Sequence, residues 1–308
     1  MKPLRHIIQS QDFTLEWLAE IFVLADELEP ISHRGSLDTL NDYILSTLFY
    51  EESTRTRLSF EAAMQLLGGK VLSTPNAKFS SAAKGEELSD TIQIVAGYSD
   101  VIVLRHPEQG SSQLAARVSS VPIINAGDGN DQHPTQAILD LYTIQKEIGR
   151  LEGVTVGFVG DLLNGRTVHS LVYLLAKFQP NMFYFVSHPA VAIKDDIKDY
   201  LRRHGVRFEE CEDLMRVARD VDVLYVTRIQ RERFDQNLRA QYDDIQRSYT
   251  VDRSVLAVMQ KTARIMHPLP RLGELPPSVD SDERVAHIRQ AKNGLCIRMA
   301  ILQKVLLG

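Results

Sequence analysis

The chain has 308 residues, 44% of them hydrophobic and 24% charged, and carries a formal net charge of -5 at pH 7. That length suits about two domains, each large enough to bury its own core. The acidic balance argues against nucleic acid or an anionic membrane as a partner, so a basic site has to be a local cluster.

Cys211 and Cys296 lie far apart without CxxC spacing, which argues against a disulfide framework or a cysteine zinc site. The opening stretch "MKPLRHIIQSQDF" has no apolar core of signal-peptide length, and no run approaches the ~18–20 apolar residues of a membrane span. These features predict a cytoplasmic protein.

In chain order, β-branched or apolar runs predict strands at 43–50, 69–74, 101–105, 121–124, 154–160, 182–187, 206–209, 222–226 and 263–267. They alternate with helical patterns and are apolar on both faces. That predicts an α/β protein with parallel sheets covered on both sides. A helix is expected over 133–149, with Ala137, Leu141, Ile144 and Ile148 on one stripe and Gly149 to stop it. The chain end predicts another helix, with Leu295, Met299, Leu302 and Leu306 on one face. Periodicity alone does not say which domain that last helix covers.

Ligands of open parallel sheets bind beyond the carboxyl ends of the strands. The first strand runs into Ser53-Thr54-Arg55-Thr56-Arg57 and the third into Arg105-His106. The fourth leads through "NAGDGNDQHPTQ" to His133 and Gln136, and the fifth through "DLLNGRT" to Arg166. The last two reach Thr227-Arg228-Ile229-Gln230 and "HPLPR", His267 to Arg271. A helix start bearing Ser, Thr and Arg makes an oxyanion cradle: its first N–H groups lack helical partners, the dipole is positive, and Arg55 offers a bidentate fork. The plainer alternative is that Ser53 only caps the helix while the arginines are solvated. Arginines at separate strand ends, Arg55, Arg105, Arg166 and Arg228 among them, weigh against it. "GFVGDLLNG" does not fit the dinucleotide pattern GxGxxG. His106 and His169 read as structural, "HPLPR" as at least a turn, and Lys84 in "NAKFSSAAKGEE" as a surface lysine on composition alone.

Seven ordered stretches, "STRTRLSFE", "SSAAKGE", "VLRHPEQG", "NAGDGNDQHPTQ", "GDLLNGRTVHSL", "TRIQRER" and "HPLPR", resemble motifs of the aspartate/ornithine carbamoyltransferase family across essentially the whole chain. The resemblance implies two doubly wound parallel-sheet domains joined by interdomain helices. Residues 1–134 with 290–308 would bind carbamoyl phosphate and 135–289 would bind aspartate, the C-terminal helix packing back on the first. It implies carbamoyl transfer to L-aspartate, with no cofactor or metal. Ser53, Thr54, Arg55 and Thr56 would hold the phosphate. Arg105 would span phosphate and carbamoyl oxygen, an oxygen shared with Thr56 and His133, and Gln136 would orient the carbamoyl nitrogen. Arg166 and Arg228, helped by Gln230, would clamp the aspartate carboxylates. Carbonyls at Pro268 and Leu269, before a cis Leu269-Pro270 bond, would receive the amine. Ser80 and Lys84 would enter from the neighbouring subunit of a homotrimer.

Three departures from familiar members stand out: Glu52 in place of a small residue or proline, Ala83 in place of a lysine, and Leu163-Asn164 where allosterically regulated members carry Lys-Tyr. "SSAAKGE" and "TRIQRERF" are closer to the plant-type branch, a plain trimer, which makes separate regulatory chains the less favoured of the two arrangements. Against ornithine as acceptor stand Arg228, which reads a second carboxylate, and Pro268, where the ornithine branch has cysteine. A non-catalytic relative would be expected to lose site residues, and each expected position is filled.

Overall fold

The computed structural model describes residues 5–74, 80–234 and 236–308. Residues 76–79 of the polar loop leading to Lys84 lie outside the described residues. The chain forms two units, Met1–Leu139 with Ala291–Gly308, and Asp140–Gln290.

The first unit contains α1 (Leu15–Arg34), β1 (Ile44–Phe49), α2 (Thr54–Leu66), β2 (Lys70–Thr74), α3 (Leu88–Ala96), β3 (Val101–His106), α4 (Ser111–Val118) and β4 (Ile123–Asp128). Its four strands are parallel in the order β2-β1-β3-β4. β4 extends further than the expected 121–124. Its small residues Asn125, Ala126 and Gly127 carry no strand signal, but β3 pairs on one side and Ile7 bridges to Ile124 on the other. Pairing on both edges supplies the backbone partners that burial demands.

The chain leaves this unit within α5 (Pro134–Ile148). The second unit continues with β5 (Thr155–Val159), α6 (Arg166–Leu175), β6 (Met182–Val186), α7 (Asp195–Arg203), β7 (Arg207–Cys211), α8 (Leu214–Asp220) and β8 (Val223–Val226). Then come α9 (Gln236–Ala240), α10 (Tyr242–Ser248), α11 (Arg253–Val258) and β9 (Arg264–Met266), and α12 (His287–Leu307) carries the chain back into the first unit. Five parallel strands run in the order β7-β6-β5-β8-β9. Phe158 at their centre stacks on Phe185 with ring centroids 5.7 Å apart.

All nine predicted strands are present. The inner ones are covered on both faces as expected, whereas edge strands β2 and β7 are not; Leu72 of β2 is 48% exposed. α5 departs from the single-stripe expectation: residues 137–144 are all buried and Ile148 only partly so. Asp140 can be buried there because it is bonded, accepting from Tyr225 and Gln290. The C-terminal helix packs on the first unit as expected. Arg298 lies 5.2 Å over the Phe60 ring, and Lys304 pairs with Glu20 at 2.8 Å.

In each sheet the strand order reverses once, between β1 and β3 and between β5 and β8. Helices leave neighbouring strands toward opposite faces there, which opens a crevice at the carboxyl ends. Gly160, just after β5, has φ +118° and lies under the Thr227 backbone at the end of β8. A Cβ there would clash with the Thr227 carbonyl oxygen and sit 2.8 Å from its hydroxyl. Gly160→Ala should therefore destabilise the protein by roughly 1–3 kcal/mol, through strain and displacement of the β8 end. A thermal melt at the wild-type Tm would refute this close-approach role.

Candidate active site

The first crevice gathers Ser53–Thr56, Arg105 and His133. β1 ends at Phe49, in register with Arg105 of β3, so the two strand ends present their outgoing residues side by side. Ser53 occupies the N-cap of α2, yet its hydroxyl makes no capping bond. The capping alternative is thus not realised in this structure. The first N–H groups of a helix have no partner within it, and an anion at the start of α2 would complete them. Thr54 and Arg55 are exposed. Desolvation by neighbouring groups lowers the Arg55 pKa from its ordinary value, although a guanidinium remains charged at any physiological pH. Arg57 faces along α2 and pairs with Glu61 at 3.7 Å. Glu52 is exposed.

Thr56 and His133 are both nearly buried, with Thr56 Oγ1 3.4 Å from His133 Nε2. His133 is delivered by the loop after β4, which its own side chains hold in shape. Asn125 donates to Asp128 at 3.1 Å, and Gly110 N–H donates to the same carboxylate at 3.3 Å. Gly129, at φ +52°, lies where a Cβ would meet Gln109 N at 2.9 Å. Burial pushes the Asp128 pKa up, and these donors pull it back in part. Gln136 stands half-buried in the first turn of α5. Arg105 donates to the Ala126 carbonyl at 3.4 Å and pairs with Glu51 at 3.0 Å. Glu51 was not anticipated from sequence, since a carboxylate two residues past a strand end carries no sign of its partner. Ser80 precedes a single 3-10 turn, Ser81–Lys84, in which Lys84 is exposed.

The second crevice gathers Arg166, Arg228 and Gln230. Asp161, fully buried, takes a bond from Asn164 N at 3.0 Å and another from its side chain at 3.1 Å. Burial raises the Asp161 pKa, and Asn164 and the Gln230 amide offset part of that rise. The Asn164 carbonyl in turn accepts from Gln230 Nε2 at 3.2 Å and from the Arg166 backbone N–H at 3.0 Å. One short loop therefore joins the start of α6 to the segment after β8. Arg228 donates from both terminal nitrogens to Glu232, one bond at 3.3 Å. Burial raises the Glu232 pKa, but its own amide and Arg228 outweigh it and hold the carboxyl below its ordinary value. Glu232 was missed too, although its place four residues after Arg228 is the spacing of a helical ion pair.

Pro268 and Leu269 follow β9, half-buried. Leu269–Pro270 is cis, and Leu269 has φ +59°. His106 and His169 are structural: His106 Nδ1 accepts from Glu108 N–H at 3.2 Å, and His169 Nε2 lies 2.8 Å from the Leu162 carbonyl. Neither Cys211 nor Cys296 is in a disulfide. No described helix is long and apolar enough to cross a membrane.

Residues 5–146 match the carbamoyl-phosphate-binding domain of aspartate/ornithine carbamoyltransferases, and residues 152–305 match their aspartate/ornithine-binding domain. The chain is 57% identical over 307 residues to the chloroplastic aspartate carbamoyltransferase of Arabidopsis thaliana, covering 99% of this chain and 78% of that one. It is 47% identical to the aspartate carbamoyltransferase catalytic subunit of Methanothrix thermoacetophila, covering 98% of both. Trypanosoma cruzi aspartate transcarbamoylase, crystallised with carbamoyl phosphate and aspartate, superposes with a TM-score of 0.93 at 38% identity, over 99% of this chain and 97% of that one. With the fold, both crevices and the matches across its length in agreement, the chain belongs to the aspartate/ornithine carbamoyltransferase family.

Proposed function

We propose that this chain is an aspartate carbamoyltransferase: it transfers the carbamoyl group of carbamoyl phosphate to the amine of L-aspartate, giving N-carbamoyl-L-aspartate and phosphate, an early step of pyrimidine synthesis. The observation that carries the reading is the cradle at the start of α2, with an uncapped Ser53 hydroxyl, Arg55, and Arg105 on the adjoining strand end. The relatives named above bear the same activity in their names.

In this reading Ser53, Thr54, Arg55 and Thr56 hold the phosphate and Ser80 contributes from a neighbouring subunit. Arg105 bridges phosphate and carbamoyl oxygen, Thr56 and His133 stabilise charge developing on that oxygen, and Gln136 orients the carbamoyl nitrogen. Arg166, Arg228, Gln230 and Lys84 bind the aspartate carboxylates, and the carbonyls of Pro268 and Leu269 accept from the amine. The amine's lone pair forms the new C–N bond as the C–O bond to phosphate breaks. Phosphate leaves with that electron pair and is the candidate acceptor of the amine proton. No nucleophilic side chain is required, and placement of two anions with stabilisation of an oxyanion is the enzyme's task. Residues 1–134 with 290–308 form the carbamoyl-phosphate domain and 135–289 the aspartate domain. Cysteines outside any disulfide suit a reducing, cytoplasmic setting.

We also propose a homotrimer without separate regulatory chains, each site taking Arg55 from one subunit and Lys84 from the next. Exposed Leu58 and Leu72, at 50% and 48%, and the open edge of β2 are surface that a second copy would cover.

Phosphate release from carbamoyl phosphate should require aspartate and be absent with ornithine; release with ornithine instead would overturn the acceptor assignment. Arg55→Ala should retain the wild-type Tm while kcat falls by about 10²-fold or more, as one oxyanion-directed contact is lost. A folded variant with kcat within a few-fold of wild type would sink the cradle. Arg228→Ala should raise the aspartate KM and leave carbamoyl phosphate binding nearly unchanged, because the acceptor alone carries the carboxylate it reads. The reverse pattern would mean the two crevices are assigned backwards. For the trimer, inactive Arg55→Ala and Lys84→Ala chains are dissociated, mixed equally and reassociated. About three-quarters of the trimers are then mixed, each with one intact site of three, so roughly a quarter of wild-type activity should return. Activity no higher than the parents' average, with chain exchange verified, rules out sharing.

A further inference from the structure

Beneath Pro268 and Leu269 lies a continuous set of buried polar groups to which neither crevice assigns a task. His267 and Glu274 are each 1% exposed, Gln290 is 1% exposed, and Asp140 and Tyr225 are fully buried. The Leu269 backbone N–H donates to His267 Nδ1 at 2.8 Å. A ring nitrogen that accepts a bond carries no proton, so the proton of the neutral ring sits on Nε2. That nitrogen lies 2.8 Å from Glu274 Oε1 and donates to it. Glu274 also accepts from the backbone of Leu272 at 3.2 Å and of Gly273 at 3.1 Å, which closes the turn beyond the cis bond.

The backbone of His267 is anchored as firmly as its ring. His267 N–H donates to Gln290 Oε1 at 2.8 Å, and Gln290 Nε2 donates to Asp140 Oδ1 at 2.6 Å. The other oxygen of Asp140 takes the Tyr225 hydroxyl, also at 2.6 Å. Burial, then the charge of Asp140, raise the Tyr225 pKa well above its ordinary value, which keeps the phenol a donor. Leu269 at φ +59° occupies a region that a branched side chain seldom adopts, and it persists only where surrounding bonds fix it.

We propose that His267 is a positioning residue for the attacking amine: as the neutral Nε2–H tautomer it holds the Leu269 amide, and so aims the Pro268 and Leu269 carbonyls, while Glu274 and the Gln290–Asp140 pair hold His267. The proposal rests on the acceptor reading above, in which those carbonyls receive the amine. His267, Glu274, Gln290, Asp140 and Tyr225 are buried and bonded in series, an arrangement that favours one geometry because breaking a link leaves a buried polar group without its partner.

Succinate separates this role from a merely structural one, because it is aspartate without the amine. His267→Leu removes the acceptor at Nδ1, whereas His267→Asn retains an acceptor oxygen near the same place. Gln290→Met removes the backbone anchor in case the leucine variant does not fold. His267→Leu and Gln290→Met should lower kcat/KM for aspartate by about 10²-fold, the cost of a misplaced reacting group. The inhibition constant of succinate and the Kd of carbamoyl phosphate should stay within about two-fold of wild type, since the arginines that read carboxylate and phosphate are untouched. His267→Asn should recover much of the loss, and nitrogen NMR of the wild-type imidazole should report a neutral Nε2–H ring. Parallel loss of aspartate turnover and succinate binding, unchanged aspartate kinetics in folded variants, or a protonated ring would each overturn the proposal. Failure of succinate to compete with aspartate in the wild type would instead bring down the acceptor assignment, and the proposal with it.

Discussion

The reversal of strand order in each sheet is the constraint from which the functional surfaces follow. Where β1 meets β3, and again where β5 meets β8, the chain must depart toward opposite faces of the sheet. No helix can then roof the strand ends at that point. The residues leaving those ends are held by buried strands, yet Thr54 and Arg55 beyond β1 are exposed. An anion site built there gains donors already aligned by the sheet and the starting helix, without ordering a flexible loop. Ser53–Thr56 and Arg105 occupy one reversal, Asp161–Arg166 and Thr227–Gln230 the other. A single architectural rule, applied twice, accounts for both.

Concentrating guanidiniums in an acidic protein requires that they be tolerated when no ligand is bound. Arg105 meets Glu51 and Arg228 meets Glu232, with the carboxylates' side chains 36% and 55% exposed. The Arg228–Glu232 pair is open enough to water to be worth only about 0–1 kcal/mol, whereas the Arg105 side chain, 12% exposed, meets Glu51 from a drier position. Each glutamate supplies its arginine with a partner while no anion is bound. Glu232 already engages both terminal nitrogens of Arg228, so an anion that replaces it has to match that fork. An exposed pair of this kind can be exchanged in a way that a fully buried pair cannot, since breaking a buried one strands a desolvated charge.

The buried polar groups follow the opposite logic. Asp140, Tyr225, Gln290, His267 and Glu274 are withdrawn from water and bonded to one another. Asp128 and Asn125 do the same under the loop that delivers His133, and Asp161 under the loop that delivers Arg166. Carboxylates open to water stand beside Arg105 and Arg228, while buried carboxylates shape the loops at the strand ends. Solvent exposure alone divides the two tasks.

Much of this was legible in the linear chain. The inner strands announce themselves as apolar or β-branched runs, because burial on both sides of a parallel sheet permits little else. The arginines at strand ends follow from the rule that ligands bind there, and the ordered motifs identify the family. Where local signal fails, long-range partners had decided the outcome. Asn125–Asp128 became strand because β3 and Ile7 pair with both edges, and residues 137–144 are buried all round although their periodicity shows one stripe. The partners of Arg105 and of Asp140, 85 and 150 residues from Tyr225 and Gln290 in the latter case, are invisible to any local window. Strand order, and with it the two reversals, exists only once the chain has folded. The sequence by itself determined which segments are buried and which chemistry is present, because both depend on residue type. The tertiary structure alone decided which strand ends share a crevice and which proton His267 keeps, because those depend on neighbours far apart in the chain.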